Sequence, residues 1–170
     1  MTVITRRKKM RDKILRAIEK NSKISAKDLS LMLGISEEAV KAEIKAMEEE
    51  NIICGYPTLI NWDLTGEEKV TAIIEVKVTP QRGRGFDKIA ERIYRFDEVN
   101  AVYLVSGTYD LAIIIEGKSM REIAAFVSDK LAPLEAILST STNFVLKKYK
   151  QNGMPLVGEV HDDERMLITP

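Results

Sequence analysis

The chain has one cysteine, one histidine and one tryptophan in 170 residues. A lone cysteine cannot close an internal disulfide, so Cys54 suits a reducing compartment and reads as a small buried hydrophobe. One cysteine and one histidine, His161, far apart in the chain cannot supply the ligands of an ordinary zinc site. The same scarcity argues against a Cys/His or Ser/His/Asp nucleophile, so no catalytic residue, metal or cofactor is expected. No apolar run approaches the roughly 18 residues of a membrane span, and none is expected. The basic start, MTVITRRKKMRDK, has no apolar stretch behind it and does not read as a secretory signal, so a cytoplasmic location is expected. Net charge is lacking too, with 26 basic residues against 26 acidic ones. That zero hides an asymmetry. Residues 1–60 hold 12 Lys/Arg and 9 Asp/Glu, and the remainder hold 14 and 17. Within residues 1–24 the balance is 9 basic to 2 acidic. A basic front end suits an anionic partner, although a solubilising terminus has the same composition.

What is present divides by period. In RRKKMRDKILRAIEKNSKIS, the residues Met10, Ile14, Leu15 and Ile18 recur at helical spacing, leaving a basic outer face. Asn21 and Ser22 end that helix. Ser25 stands as an N-cap with Asp28 three residues on, before Leu29, Met32 and Leu33. This short second helix stops at Gly34, a natural left-handed position. Ser36 caps a third helix, from about Glu37 to Glu50, with a buried stripe of Val40, Ile44 and Met47. The apolar, β-prone NIICGYPTLIN that follows reads as a short strand or wing, then a hinge.

Beyond the hinge the period becomes two. In KVTAIIEVKVTP, Val70, Ala72, Ile74, Val76 and Val78 face one way. GFDKIAERIYRF places Phe86, Ile89, Ile93 and Phe96 on one helical face. NAVYLVSG and DLAIIIEG are strands joined by a tight turn. SMREIAAFVSDKLAP is a helix with Met120, Ile123, Ala124, Val127 and Leu131 inward, and ILSTSTNFVLKKYK is a closing strand. The order β-α-β-β-α-β is the ferredoxin-like plan, with helices on one sheet face and the other bare. A bare face carrying Ile, Val and Tyr wants a partner sheet. The expected class is α+β: an N-terminal winged helix-turn-helix, residues 1–56, a linker at 57–67, a ferredoxin-like βαββαβ domain at 68–151 and a tail at 152–170. In PQRGRGFDK a lone Gly-x-Gly with no following Gly-Lys-Ser/Thr reads as a loop, whose Arg82 and Arg84 could meet DNA wrapped on an assembly.

The third helix carries six glutamates and two lysines between Glu37 and Glu50, a poor charge match for a polyanion. On a 100° wheel its outward arc is Glu38, Lys41, Ala42, Lys45, Ala46 and Glu49. The first half of a recognition helix meets base edges, and there the arc offers Glu38, Lys41, Ala42 and Lys45. Glu37 and Glu38 suit the positive end of the helix dipole, and Glu38 could accept from a cytosine amino group. The acidity weakens DNA binding without forbidding it. The missing charge must come from Arg6, Arg7, Lys8, Lys9, Arg11, Lys13 and Arg16, with Lys23 and Lys27 nearby and Ser25 and Ser36 at the helix starts. A single weak module would gain from pairing at fixed spacing. Tri-helical units of this kind also occur in proteins that never touch nucleic acid.

The residues resemble the Lrp/AsnC, or feast/famine, transcription regulators. ISAKDLSLMLGISEEAVKAEIKAMEEENIICGYPTLIN is similar to their helix-turn-helix, with Gly55, Tyr56 and Asn61 in their hinge pattern. VSGTYDLAIII resembles their effector-domain turn, and ILSTSTNFVLKKYK their last strand. The likeness spans roughly residues 9–151 and implies regulators that bind double-stranded DNA and form homodimers assembling to tetramers or octamers. It also implies an amino-acid effector bound between subunits. The chain departs from the pattern at Ser36-Glu37 (often Ser-Pro), Ile44-Lys45 (often Arg-Arg) and Leu134-Glu135-Ala136 (often Pro-Gly-Val).

An amino acid is a zwitterion, needing a carboxylate for its ammonium and N–H donors for its carboxylate. The turn Ser106-Gly107-Thr108-Tyr109-Asp110 can offer both: Gly107 permits close approach, Asp110 pairs with the ammonium, and Tyr109 supplies a flat wall and a hydroxyl. A structural Asp in a hairpin turn is the plainer reading. The resemblance implies that residues 134–142 of a neighbouring subunit, among them Leu134, Ala136, Thr140 and Thr142, complete the pocket. Two alternatives stay open. Siroheme decarboxylases share the architecture, although this chain has no histidine before His161. A sensor or scaffold module that no longer binds DNA is the other.

Overall fold

The structure is a computed structural model that describes residues 3–79 and 85–156. The chain divides into two compact units, Met1–Thr58 and Leu59–Pro170. Arg82, Arg84 and His161 lie outside the described residues.

The first unit holds three helices: α1 (Val3–Lys20), α2 (Ala26–Leu33) and α3 (Glu37–Glu49). The caps fall where the serines place them. Ser25 Oγ accepts from the Asp28 N–H at 3.0 Å and donates to its carboxylate at 2.6 Å. Ser36 Oγ accepts from the Ala39 N–H at 3.2 Å, satisfying one of the orphan donors at the start of α3. Gly34, at φ 66°, turns α2 into α3, and its N–H returns to the Ser30 carbonyl at 2.9 Å. Asn51 takes φ 54° after α3, and the Ile52 N–H reaches back to the Met47 carbonyl. Ile14, Leu29, Val40 and Met47 are buried together, with Met10, Leu15, Ile18, Leu33 and Ile44 around them. Met32 is 67% exposed beside exposed Leu31. An eight-residue helix has room for one inward row, and Leu29 occupies it.

Two expectations fail beyond α3. No strand forms between α3 and Trp62; the segment runs irregularly into a 3₁₀ turn at Trp62–Leu64. A lone strand has no ladder to join, since the first unit holds no other strand among the described residues. Cys54 is exposed on this segment, its Sγ donating to the Asn51 carbonyl.

In the second unit, β1 (Val70–Val78), α4 (Asp87–Tyr94), β2 (Val99–Leu104), β3 (Leu111–Gly117), α5 (Met120–Phe126) and β4 (Ile137–Phe144) follow in the expected order. They build a four-stranded antiparallel sheet, β2-β3-β1-β4. The strict alternation of β1 buries Ala72, Ile74, Val76 and Val78 with Leu111, Ile113 and Ile115 of β3. Ile89, Ile93, Ile123, Phe126 and Leu131 cover that face from α4 and α5. Ile73 pairs in register with Ile114, and Ala112 with Tyr103, on the face without helices. Met120 is 53% exposed, Ala124 is exposed, and Phe126 is buried instead. Ile123 and Phe126, three residues apart, form the inward face of α5, and the π-helical turn that follows, Val127–Leu131, with the Ala132 N–H on the Val127 carbonyl, keeps Leu131 on that same face. The closing strand ends at Phe144. A small hairpin follows, β5 (Lys150–Gln151) with β6 (Met154–Pro155).

Candidate nucleic-acid interface and effector turn

The expected outward arc of α3 is open. Glu38, Lys41, Ala42 and Lys45 are all exposed. Lys41 Nζ pairs with Glu37 at 2.6 Å, and Lys45 Nζ lies 3.9 Å from Glu49. Glu37 and its hydrogen bond raise the Lys41 pKa, so its charge is secure. Exposed pairs of this spacing are weak, and each lysine can exchange its glutamate for a phosphate at little cost.

The other acids point elsewhere. Glu43 accepts from Arg7 Nε at 2.8 Å and from Arg11 Nε at 2.7 Å. Glu50 accepts both Arg11 terminal nitrogens, at 2.7 and 2.9 Å. Glu48 accepts from the Tyr56 hydroxyl at 2.7 Å. Burial, then that carboxylate, pushes the Tyr56 pKa up to about 12. Burial pushes Glu43 upward, but Arg11 and Arg7 outweigh it and hold its carboxyl below the usual range. Arg11 holds Glu50 low in the same way. Arg7 and Arg11, counted from sequence among the DNA-facing cations, are thus engaged with α3 itself. Glu43 and Glu50 sit about 60° and 80° to one side of Val40 on the helical wheel, on the flank that meets α1. Their seven-residue spacing, set against the four-residue spacing of Arg7 and Arg11, was the signal available in the sequence. Arg6, Lys8, Lys9 and Lys27 are exposed, and the Ser25 and Ser36 hydroxyls act as helix caps.

The turn Ser106–Tyr109 joins β2 to β3 and is closed by the Val105 N–H on the Asp110 carbonyl, 2.9 Å. Ser106, Gly107 and Thr108 are exposed and Tyr109 is half-buried. A Cβ on Gly107 would meet no atom within 4 Å, so the fold does not itself demand glycine there. Asp110 is tied to β1: Oδ2 accepts the Val78 N–H at 2.9 Å, Oδ1 accepts Lys77 Nζ at 3.3 Å, and its own N–H donates to the Val76 carbonyl. The Val78 bond first, then Lys77, hold this carboxyl below its ordinary value. A carboxylate has about four acceptor sites, so lone pairs remain for an ammonium.

On the other side of β1, the Ala136 carbonyl accepts the Thr79 N–H at 2.8 Å. The end of β1 therefore brings together the Asp110 turn and the segment before β4. Leu134 is only 3% exposed and belongs to the core. Thr140 and Thr142 lie opposite Val76 and Ile74, half-buried on the helix-covered side.

A capped helix-turn-helix with an exposed basic arc, followed by a ferredoxin-like domain with an open turn, defines a DNA-binding regulator with a ligand-binding module. Residues 8–53 match the winged helix-turn-helix DNA-binding family, and residues 71–155 match the Lrp/AsnC ligand binding domain. An HTH-type transcriptional regulator of Bacillus subtilis, YugG, is 48% identical over 159 residues, covering 92% of this chain and 95% of that one. LrpA of Pyrococcus horikoshii is 31% identical over 141 residues, covering 82% and 97%. A solved Neisseria meningitidis transcriptional regulator in complex with L-methionine shares the fold at TM-score 0.65 and 22% identity, over 87% of this chain and 96% of that one. The chain belongs to the Lrp/AsnC family and is a DNA-binding transcriptional regulator of that type.

Proposed function

We propose that this regulator works as a homodimer, or a higher assembly of dimers, in the cytoplasm, and that a small amino acid modulates its grip on double-stranded DNA. The observation that carries this is the uncovered sheet face. Ile73 is 39% exposed and Tyr103 54% exposed on it, beside Ile114 and Ala112. A second copy laid on this face would remove that apolar surface from water and hold two reading heads together. The linker at 57–67 joins each head to the paired domains. In each head, Lys41, Lys45, Glu38 and Ala42 face the major groove, and Arg6, Lys8, Lys9 and Lys27 serve the phosphates.

The effector site is the turn Ser106–Asp110 with the neighbouring segment at Ala136. The open space above Gly107 and the spare acceptor sites of Asp110 support an amino-acid ligand, as does the L-methionine held by the Neisseria regulator. Effector and DNA affinity are then linked reciprocally through assembly. The test is selection of bound duplexes from a random pool, with and without a mixture of amino acids, alongside light scattering. An enriched near-palindrome whose recovery changes with the mixture supports the reading. A monomer in light scattering, with or without duplex, overturns it.

A further inference from the structure

The reading head has a small core. Ile14, Leu29, Val40 and Met47 are its buried residues. These four set which face of α3 turns inward, but apolar burial is non-directional and a core this small leaves the exact rotation loosely defined. A directional element lies beside them. Arg11 Nε donates to Glu43 Oε2, and its two terminal nitrogens grip both oxygens of Glu50. Arg7 takes the remaining Glu43 oxygen. The side chains of Arg11 and Glu43 are each 15% exposed. The guanidinium is planar and its fork is rigid, so these bonds set an angle as well as a distance. Glu43 and Glu50 are two helical turns apart, so one arginine holds α3 at two points along its length.

We propose that Arg11 is a positioning residue for DNA recognition: it fixes the rotation of α3 against α1 and thereby sets base specificity, without itself contacting DNA. The inference rests on α3 being the helix that reads DNA. It assigns Glu43 and Glu50 a constructive part, where simple electrostatics would make them a hindrance. The two views predict opposite signs for removing a glutamate.

The experiment uses the full chain, a duplex selected from a random pool and a scrambled duplex, with affinities taken across a salt series. Arg11→Lys keeps the charge and loses the fork. It should lower the preference for the selected duplex about tenfold while leaving the salt slope unchanged. Glu50→Gln should shift the preference the same way, although it removes a negative charge. Glu50 is half exposed and its loss leaves the Arg11–Glu43 bond in place, so this variant remains folded by circular dichroism and carries the test even if Arg11→Lys does not. Unchanged preference in Arg11→Lys, or tighter binding of both duplexes by Glu50→Gln, overturns the proposal. Lys45→Ala separates the two levels. If it leaves both duplexes unaffected, the assignment of α3 as the reading helix has failed, not the part given to Arg11.

Discussion

Replacing Ile73 by aspartate puts the proposed dimer to its strongest test. Ile73 sits on the sheet face that carries no helix, in register with Ile114 of β3. Fully burying an isoleucine contributes about 1.5–3 kcal/mol. With 39% of Ile73 still exposed in the single chain, dimer formation would recover about 0.6–1.2 kcal/mol per copy, or roughly 1–2 kcal/mol across a two-fold axis. Ile73→Asp removes that gain. It also buries an unpaired carboxylate twice, at several kcal/mol each, and Glu75 on the same face adds repulsion. The sum exceeds about 4 kcal/mol, so dimer dissociation should rise at least a thousandfold. The single chain loses some stability too, because Ile73 is 39% exposed and the rest of the side chain is covered within the sheet, so the dimer readout is taken under conditions where the variant is fully folded. Sedimentation velocity over a concentration series reads the change, and circular dichroism confirms the fold. Ile73→Val is the control and should stay close to the parent protein. If Ile73→Asp dissociates within threefold of the parent, this face is not the interface and the account of paired heads fails.

Three further outcomes follow from the same contacts. Met47→Ala should destabilise the reading head by about 2–5 kcal/mol, read as an earlier denaturant midpoint, because Met47 is fully buried in a core with few other members. Asp110→Asn should reduce amino-acid binding by at least about tenfold in calorimetry and leave effector-free DNA binding unchanged; equal binding by the variant would make Asp110 only a pin for β1. Stability should be flat around neutral pH and fall as pH drops through the ordinary carboxylate range, near 4.5 for glutamate. The sign follows from depressed folded-state values: Glu43 and Glu50 held low by arginine, Glu98 by Lys130, Glu116 by Lys148 against its burial, and Asp110 by Val78 and Lys77. Each binds fewer protons folded than unfolded, so acid favours unfolding; thermal melts between pH 7 and about pH 3 that show no decline would refute this.

Local periodicity carried most of the fold. The alternation Val70–Val78 sets which sheet face is buried, and the serine caps with Gly34 set the helix ends, because those signals act within a few residues. The failures needed information from further away. Composition favours a strand at residues 51–61, but among the described residues no partner strand pairs with it. Without that strand Cys54 has nothing to be buried against. A 3.6-residue period through Ile123 allows either Met120 and Ala124 or Phe126 beside it, and the packing against the sheet selects Phe126, with the π turn at Val127–Leu131 keeping Leu131 on that face. In the second unit the turn between β2 and β3 was legible. The pinning of Asp110 to Val78 was not, since it joins residues 32 positions apart.

The glutamates of α3 turn on the same distinction between near and far. Viewed along the helix they repel phosphate. Viewed with α1, Glu43 and Glu50 are neutralised by Arg7 and Arg11, so those two arginines spend their charge on α3. The remaining cations of the head are Arg6, Lys8, Lys9, Lys13, Arg16, Lys20, Lys23, Lys27 and two weakly paired lysines on α3. Such a head alone belongs in the non-specific range, on the order of 10 μM. Two heads joined at an effective concentration on the order of 1 mM would bind a double site at about 0.1 μM, roughly a hundredfold tighter, with no new contact to DNA. Ile73→Asp should therefore lose about that hundredfold on a two-half-site duplex while retaining parental affinity for a single half-site. Equal loss on both duplexes would mean that affinity arises within one head, and the acidic helix would then need cations from some other source.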